Sequence, residues 1–217
     1  MASQLQNGQS KEEDSSSSSD EEVNDRHHSN IDNRRTALLN RLNSDGTRKE
    51  YPSKDVMHDE KTYKDFKDKF RVDVEACLEH KHNAEHKTLL HYLVLHPDYG
   101  KAPFTLLTKL ILEIDAERKD PANSILCVQS AEQHESNTCL HIALLKGRVK
   151  FVKYICEVAN PQILDRAISV ANNLGETVLH LAITHSKTPD LDLIKTLAQR
   201  AEVDTFVKQR HQTSNDG

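Results

Sequence analysis

Histidines and cysteines are the residue types in this chain that could bind a metal ion or act as nucleophiles. Cys77, His80, His82 and His86 lie close together, at spacings that a zinc ion could use. They fall in a polar segment that has no second pair of cysteines. We therefore predict a solvated, histidine-rich loop there and no metal site.

Two neighbouring residues, Cys139 and His141, suggest a thiol nucleophile with a base. Residues this close on one helix point their side chains in different directions, so we do not expect this pair to react. The sequence also shows no glycine-rich phosphate loop, no paired carboxylates and no nucleophile elbow. We therefore expect no enzyme activity, no cofactor and no small-molecule substrate.

The pattern Thr-x-Leu-His occurs three times, at 88–91, 138–141 and 177–180, each time before an apolar run with helical spacing. Recurrence of this kind indicates an internal repeat. Threonine suits a helix N-cap because its hydroxyl can accept from a backbone N–H, and a histidine three residues later can reach back to the cap. We therefore predict that the three motif histidines are capping residues and not ligands.

A second predicted helix follows each copy, so every unit is a helix-turn-helix pair. Such a pair cannot bury its apolar face alone and must stack on its neighbours. The predicted fold class is an all-α solenoid of these pairs with extended finger loops, preceded by a disordered N-terminal tail.

The units resemble the ankyrin repeat, whose pattern is Gly-x-Thr-Pro-Leu-His-x-Ala followed by a turn glycine and a second helix. Residues 175–182 match it closely and residues 138–155 match it about as well, whereas the first copy has Leu93 in place of alanine and lacks the turn glycine. The resemblance covers about residues 87–208. The structural motif residues that it implies are Thr88, Leu90, His91, Thr138, Leu140, His141, Ala143, Gly147, Gly175, Thr177, Leu179, His180 and Ala182.

Five segments follow from composition and pattern. Residues 1–33 are predicted to be a disordered, acidic, serine-rich tail, and residues 34–58 a short helix and linker. Residues 59–86 carry an aromatic stripe at helical spacing and are predicted to be a capping helix or a degenerate repeat. Residues 87–210 hold about three ankyrin repeats. Residues 211–217 look like the start of a truncated repeat, because Asn-Asp-Gly at 215–217 resembles the lead-in at 173–175; we expect a fragment of a longer chain.

The serine run of the tail lies next to acids. Ser17, Ser18 and Ser19 each have an acid three residues on, a spacing that acid-directed kinases favour. Two interpretations stay open, a phosphorylated tail that gains negative charge and a tail that only increases solubility.

The spacing of the motif threonines points to the connectors. They are 50 and then 39 residues apart, against about 33 in the standard unit. The extra residues are predicted to lie in finger loops, and insertions in solenoids are often on the binding face. We expect partner contacts there and on the first helices. The candidate residues are Tyr92, Glu135, Asn137, Leu145, Lys146, Asn173, Glu176, Thr184 and His185.

Charge and hydropathy limit the class of partner. Residues 1–25 hold seven acids and one base, so the rest of the chain is nearly neutral against a formal net charge of −5. No dense basic face is apparent, which argues against nucleic acid. No apolar run approaches the roughly 18 residues that a membrane span needs. The dispersed cysteines and the absence of a signal peptide favour a cytoplasmic or nuclear location.

The sequence thus predicts a non-catalytic scaffold or adaptor that binds another protein. Two alternatives stay open. Residues 138–143 and the long first connector look like the cytoplasmic ankyrin region of vanilloid-type cation channels, which implies part of a channel or signalling protein. Residues 179–183 behind an acidic, serine-rich segment resemble the I-kappa-B group of transcription-factor inhibitors, although that group's paired-serine motif is absent.

Overall fold

A computed structural model describes residues 30–42, 59–79, 85–118, 123–131, 135–185 and 189–201. Ser17, Ser18, Ser19, His80, His82 and residues 211–217 lie outside the described residues. The helices in these ranges are α1 (30–42), α2 (Glu60–Leu78), α3 (Leu89–Leu95), α4 (Ala102–Glu117), α5 (Cys139–Leu145), α6 (Val149–Val158), α7 (Pro161–Ser169), α8 (Val178–Thr184) and α9 (191–201).

Three helix pairs correspond to the predicted repeats. The inner helices α3, α5 and α8 each begin directly after a motif threonine, and the outer helices α4, α6 and α9 follow them. Successive inner helices pack on one another, α3 on α5 and α5 on α8. One continuous hydrophobic core runs through all three repeats. The prediction of a helical ankyrin solenoid is therefore confirmed.

The motif histidines cap the inner helices and join each repeat to the next. The backbone N–H of Thr88 donates to Nδ1 of His91 at 3.1 Å, and the Thr88 hydroxyl lies 2.8 Å from the same nitrogen. On the other side of the ring, Nε2 lies 3.2 Å from the carbonyl oxygen of Asn137, the residue before the next cap. A carbonyl only accepts, so Nε2 carries the proton and Nδ1 accepts. His91 is therefore held as the neutral imidazole.

The second copy repeats this arrangement. Nδ1 of His141 lies 3.2 Å from the N–H of Thr138 and 2.7 Å from its hydroxyl, and Nε2 lies 3.0 Å from the carbonyl oxygen of Glu176. Burial lowers the pKa of His91 to about 4 and also lowers the pKa of His141. The predicted capping role of these two histidines is confirmed. It includes a link between repeats that the sequence analysis did not foresee.

The third motif caps α8 in the same way, with Nδ1 of His180 3.2 Å from the N–H of Thr177. Its imidazole is exposed, and within the described residues its Nε2 makes no hydrogen bond to another repeat. His180 is thus a cap without the second function of His91 and His141.

Helices α1 and α2 complete the first repeat from the N-terminal side. The aromatic stripe of α2 is buried, with Phe66, Phe70 and Val74 fully inaccessible, and α2 packs on α4. Helix α1 starts at residue 30, before the predicted boundary of the tail at 33, because the side chain of Ile31 is already buried. Together α1 and α2 occupy the position of a preceding inner and outer helix.

A buried arginine fixes α1 to the first repeat. The side chain of Arg35 is fully buried, and its Nη1 donates to the carbonyl oxygen of Lys87 at 2.8 Å. Lys87 directly precedes the cap Thr88, just as Asn137 and Glu176 precede the later caps. Arg35 therefore makes the bond that a motif histidine would make in a preceding repeat.

Those extra residues of the connectors that the structure describes are largely folded against the core. In the second connector they form α7, which starts at Pro161 behind the cap Asn160 and buries four apolar side chains. In the first connector, the buried carboxylate of Asp115 accepts from the Ser124 hydroxyl and the Ile125 N–H, which holds residues 123–127 against the core. The prediction that the extra residues lie in finger loops is therefore wrong for α7, whose apolar spacing follows a helical period.

Both finger turns contain residues in left-handed backbone conformations. Glu135 and Ser136 adopt left-handed backbone conformations, with φ of 63° and 51°, and Gly175 has φ of 77°. Ser136 and Gly175 are equivalent, because each lies two residues before a motif threonine. Left-handed backbone costs nothing for glycine but is unfavourable for other residues. The first finger turn therefore contains strain that the second avoids.

Acidic pH should lower the free energy of unfolding, because the buried histidines are neutral in the folded chain. The pKa of His91 in the folded chain lies below its unfolded value, so the unfolded state takes up the proton first as the pH falls. We expect full stability above about pH 6.5 and a loss from His91 of about 2 kcal/mol by about pH 4.5. Urea unfolding at several pH values should show a flatter dependence for His91→Gln than for the wild type. His180→Gln, on the exposed ring, is the control and should leave the slope unchanged.

The two finger turns should respond oppositely to glycine. Ser136→Gly is expected to raise the free energy of unfolding by about 0.5 to 1 kcal/mol, because it relieves the left-handed strain. Gly175→Ala should lower it by about 1 kcal/mol. An alanine Cβ there would meet no atom within 4 Å, so the cost comes from the backbone alone. Equal denaturation midpoints for all three proteins would contradict this account.

Removal of the Arg35 guanidinium should detach α1. Arg35→Met leaves the Lys87 carbonyl without this donor, and we expect a loss of about 2 to 4 kcal/mol in the free energy of unfolding. Arg34→Met removes an exposed guanidinium from the neighbouring position and is the matched control. If both variants unfold at the same denaturant concentration, Arg35 does not have the role assigned to it.

Candidate protein-binding surface

The inner helices present one row of accessible side chains. In each repeat, the residues four, seven and eight positions after the motif threonine lie on one side of the helix. Those that are exposed or half-buried, apart from His96, whose ring stacks on Phe104, form what we call the inner-helix face: Tyr92, Leu95, Ile142, Leu145, Lys146, Thr184 and His185. The row is apolar in the first repeat, apolar with a terminal lysine in the second, and polar in the third.

Eight of the nine predicted contact residues are accessible. Glu135, Lys146, Asn173, Thr184 and His185 are exposed, and Tyr92, Leu145 and Glu176 are half-buried. Their positions form two groups, the inner-helix face and the turns of the two fingers. The structure brings the finger residues together with one another, because the two turns are hydrogen-bonded side by side.

Asn137 is the exception, because its side chain is only 4% exposed. Its amide nitrogen donates to the Glu135 carboxylate at 3.1 Å, and its amide oxygen accepts from Asn172 at 3.1 Å. The expectation of an accessible Asn137 is therefore wrong. The residue links the two connectors and leaves no surface for a partner.

Hydrogen bonds make the finger turns a single preformed surface. The backbone N–H of Asn173 donates to the carbonyl oxygen of Glu135 at 3.1 Å. The side-chain amide of Gln129 donates at 2.8 Å to the carbonyl oxygens of both Ser136 and Ala171. A partner that contacts the finger turns would therefore meet a surface that needs little ordering on binding.

Helix α1 forms one edge of the inner-helix face. The Arg35 guanidinium lies 5.9 Å from the centre of the Tyr92 ring. Burial and a hydrogen bond with Asp32 raise the pKa of the Tyr92 hydroxyl. Because its polar tip is engaged in this way, Tyr92 presents mainly its ring to a partner.

The basic side chains near the turns between inner and outer helices differ in whether an acid or a carbonyl oxygen pairs with them. Lys153 pairs with Asp190 at 2.7 Å, and Arg148 donates to the carbonyl oxygen of His96 at 2.8 Å. Lys146 lies at the end of α5, is exposed, and makes no ion pair in the part of the chain that the structure describes. It is therefore the cation most available to a partner on this face.

The residues first considered for chemistry have structural surroundings. Cys77 is buried among α1 and α2, and no group of three or more metal-ligating side chains occurs among the described residues. Burial raises the pKa of the Cys139 thiol, which disfavours the nucleophilic thiolate. Both ring nitrogens of His141 are engaged by Thr138 and Glu176, so this ring is not arranged as a base for Cys139.

Sequence reasoning missed two members of the face, Leu95 and Ile142. Leu95 is 40% exposed although it is a large apolar residue. The signal was present in the register, because a leucine seven residues after the cap falls on the same side as Leu145.

No helix among the described residues is long and apolar enough to cross a membrane.

Comparison with known proteins agrees with this architecture. Residues 74–208 match the family model described as ankyrin repeats in three copies. Neither the curated proteins nor the solved structures gave a match. The matched region contains α3 to α9 and all three threonine and histidine caps, and it covers more than half of the chain. The chain therefore belongs to the ankyrin-repeat family and carries a protein–protein interaction module.

Proposed function

We propose that this chain is a non-catalytic scaffold or adaptor, which binds another protein through the inner-helix face and the finger turns. The observation that carries the proposal is the apolar part of the inner-helix face. Leu95 is 40% exposed, and Ile142 and Leu145 are half-buried beside it. Partly exposed apolar side chains on a rigid, continuous surface are typical of the centre of a protein interface.

The surroundings of this apolar group resemble the rim of an interface. Lys146, Thr184 and His185 are exposed and polar, and they lie at the ends of neighbouring inner helices. An apolar centre with a polar rim suits a protein partner better than a nucleic acid, which would require several cations on one face. Such an arrangement supports a protein as the partner.

Two features support a role without catalysis. The motif histidines, which are the residues best suited to acid–base chemistry, are used as caps, and His91 and His141 also link successive repeats. The cysteine thiols at positions 77, 127 and 139 have raised pKa values because of burial, which makes them poor nucleophiles.

We also propose a cytoplasmic or nuclear location. All four cysteines are free thiols, and two of them, Cys77 and Cys139, are buried. Free thiols are compatible with a reducing compartment. Fluorescence microscopy of the tagged full chain would test this location directly.

The inner-helix face can be tested with one substitution in each repeat. The inner-face variant is Leu95→Ser, Lys146→Ala and His185→Ala. The matched control carries Lys61→Ala, Lys64→Ala and Val72→Ser, three exposed positions on α2. Proteins from cell extract that bind both the wild type and the control should bind the inner-face variant at least about tenfold more weakly than the wild type. The reason is that the variant lacks side chains that anchor the interface.

Quantitative titration of each captured protein against the purified variants gives the measurement. Circular dichroism and a thermal melt verify that each variant is folded. If every captured protein binds the inner-face variant as tightly as the control, the inner-helix face is not the binding surface and the proposal fails.

A further inference from the structure

The outer helices α4 and α6 leave a groove between them. The inner helices α3 and α5 pack closely, and the contact between α4 and α6 is less extensive. The groove has a volume of about 320 Å³. This lies within the range of roughly 300 to 1,000 Å³ that is typical of ligand pockets. None of the residues that line it belongs to the inner-helix face.

Aromatic rings line the groove. Phe104 and Phe151 are buried at its base, and Tyr99 and Tyr154 are half-buried along its walls. The Tyr99 ring is held from two sides, by the Arg148 guanidinium 4.2 Å from the ring centre and by the edge-on ring of Phe151 at 6.1 Å. The walls are thus apolar and fixed before any partner binds, which lowers the entropic cost of binding.

Two charges of opposite sign stand at the ends of this aromatic strip. Lys150 and Glu157 both line the groove and are exposed, and neither makes an ion pair or hydrogen bond within the described residues. Seven residues along α6 separate them by about 10.5 Å on one face of the helix. The adjacent Lys153, by contrast, is paired with Asp190.

The spacing of these two charges favours one backbone conformation for a partner segment that binds in the groove. In an extended chain, about three residues span 10 Å, and residues three apart point to opposite faces. Residues two or four apart share a face but are separated by about 7 or 13 Å, so an acid and a base in such a segment match the spacing of about 10.5 Å less closely. In a helix, residues seven apart are separated by about 10.5 Å and lie on the same face, with apolar side chains between them directed into the groove.

We propose that the groove between α4 and α6 binds an amphipathic helix of a partner protein. That helix carries an acid and a base seven residues apart, opposite Lys150 and Glu157, and large apolar residues between them that insert among Phe104, Phe151 and Tyr154. This is the helix-in-groove mode of recognition. The surface is separate from the inner-helix face, so the chain can hold two segments at once.

Three synthetic helical peptides test the charge pattern. All three share leucine and phenylalanine at positions i+3 and i+4. At positions i and i+7 the first has Glu and Lys, the second has Lys at both, and the third has Glu at both. Fluorescence anisotropy measures binding of each labelled peptide to the wild type, Lys150→Glu, Glu157→Lys and the control Lys64→Glu, an exposed lysine of α2 outside the groove.

The wild type and Lys64→Glu should both prefer the first peptide. Lys150→Glu should prefer the peptide with two lysines by about fivefold, and Glu157→Lys the peptide with two glutamates, because each solvent-exposed pair contributes modestly. Thr105→Trp places a bulky ring in the groove and should weaken all three peptides. The inner-face variant should bind all three like the wild type, which separates this test from that of the proposed function.

Three outcomes overturn the proposal. The first is no binding of any peptide at concentrations up to about 1 mM, the affinity limit of weak complexes. The second is an unchanged order of preference in Lys150→Glu and Glu157→Lys. The third is loss of binding in the inner-face variant, which would place the peptides on the other surface.

Discussion

The imidazoles of His91 and His141 each contact two successive repeats, and the stack depends on these contacts. One ring nitrogen accepts from the cap of its own helix, and the other donates to the carbonyl oxygen before the next cap. Both bonds require the neutral imidazole and a buried site. The same bonds fix the distance and rotation between repeats, so the inner helices α3, α5 and α8 present their accessible side chains in one register. The inner-helix face is a consequence of this constraint.

Features that depend on local sequence were predictable. The caps at Thr88, Thr138 and Thr177 follow from a four-residue motif, and the buried stripe of α2 follows from helical spacing. Features that depend on tertiary contacts could not be predicted from the sequence. The burial of Asn137 arises from a bond to Asn172 in the next connector. Helix α7 carried a readable signal in Asn160-Pro161, but the prediction assigned extra residues to loops because that is their usual place in a solenoid.

The candidate surfaces divide in the same way. The accessible positions on the inner helices could be derived from the repeat register, since a fixed offset from each threonine selects them. The groove between α4 and α6 could not, because it depends on how far two outer helices stand apart, and the sequence contains no local record of that distance. Lys150 and Glu157 are ordinary surface charges in the sequence. Their separation of seven residues indicates a binding site only because the aromatic side chains of the groove lie between them.

Arg35 shows how the same constraint is met by different chemistry at the N-terminal end. The carbonyl oxygen of Lys87 needs a donor for the same reason as those of Asn137 and Glu176, since it lies before a cap and against a preceding helix. Helix α1 has no Thr-x-Leu-His motif, so a guanidinium supplies the bond. Arg35 of α1 thus bonds to the residue before the first cap, and α2 packs on α4, so the two helices take the place of a preceding pair although the family match begins at residue 74.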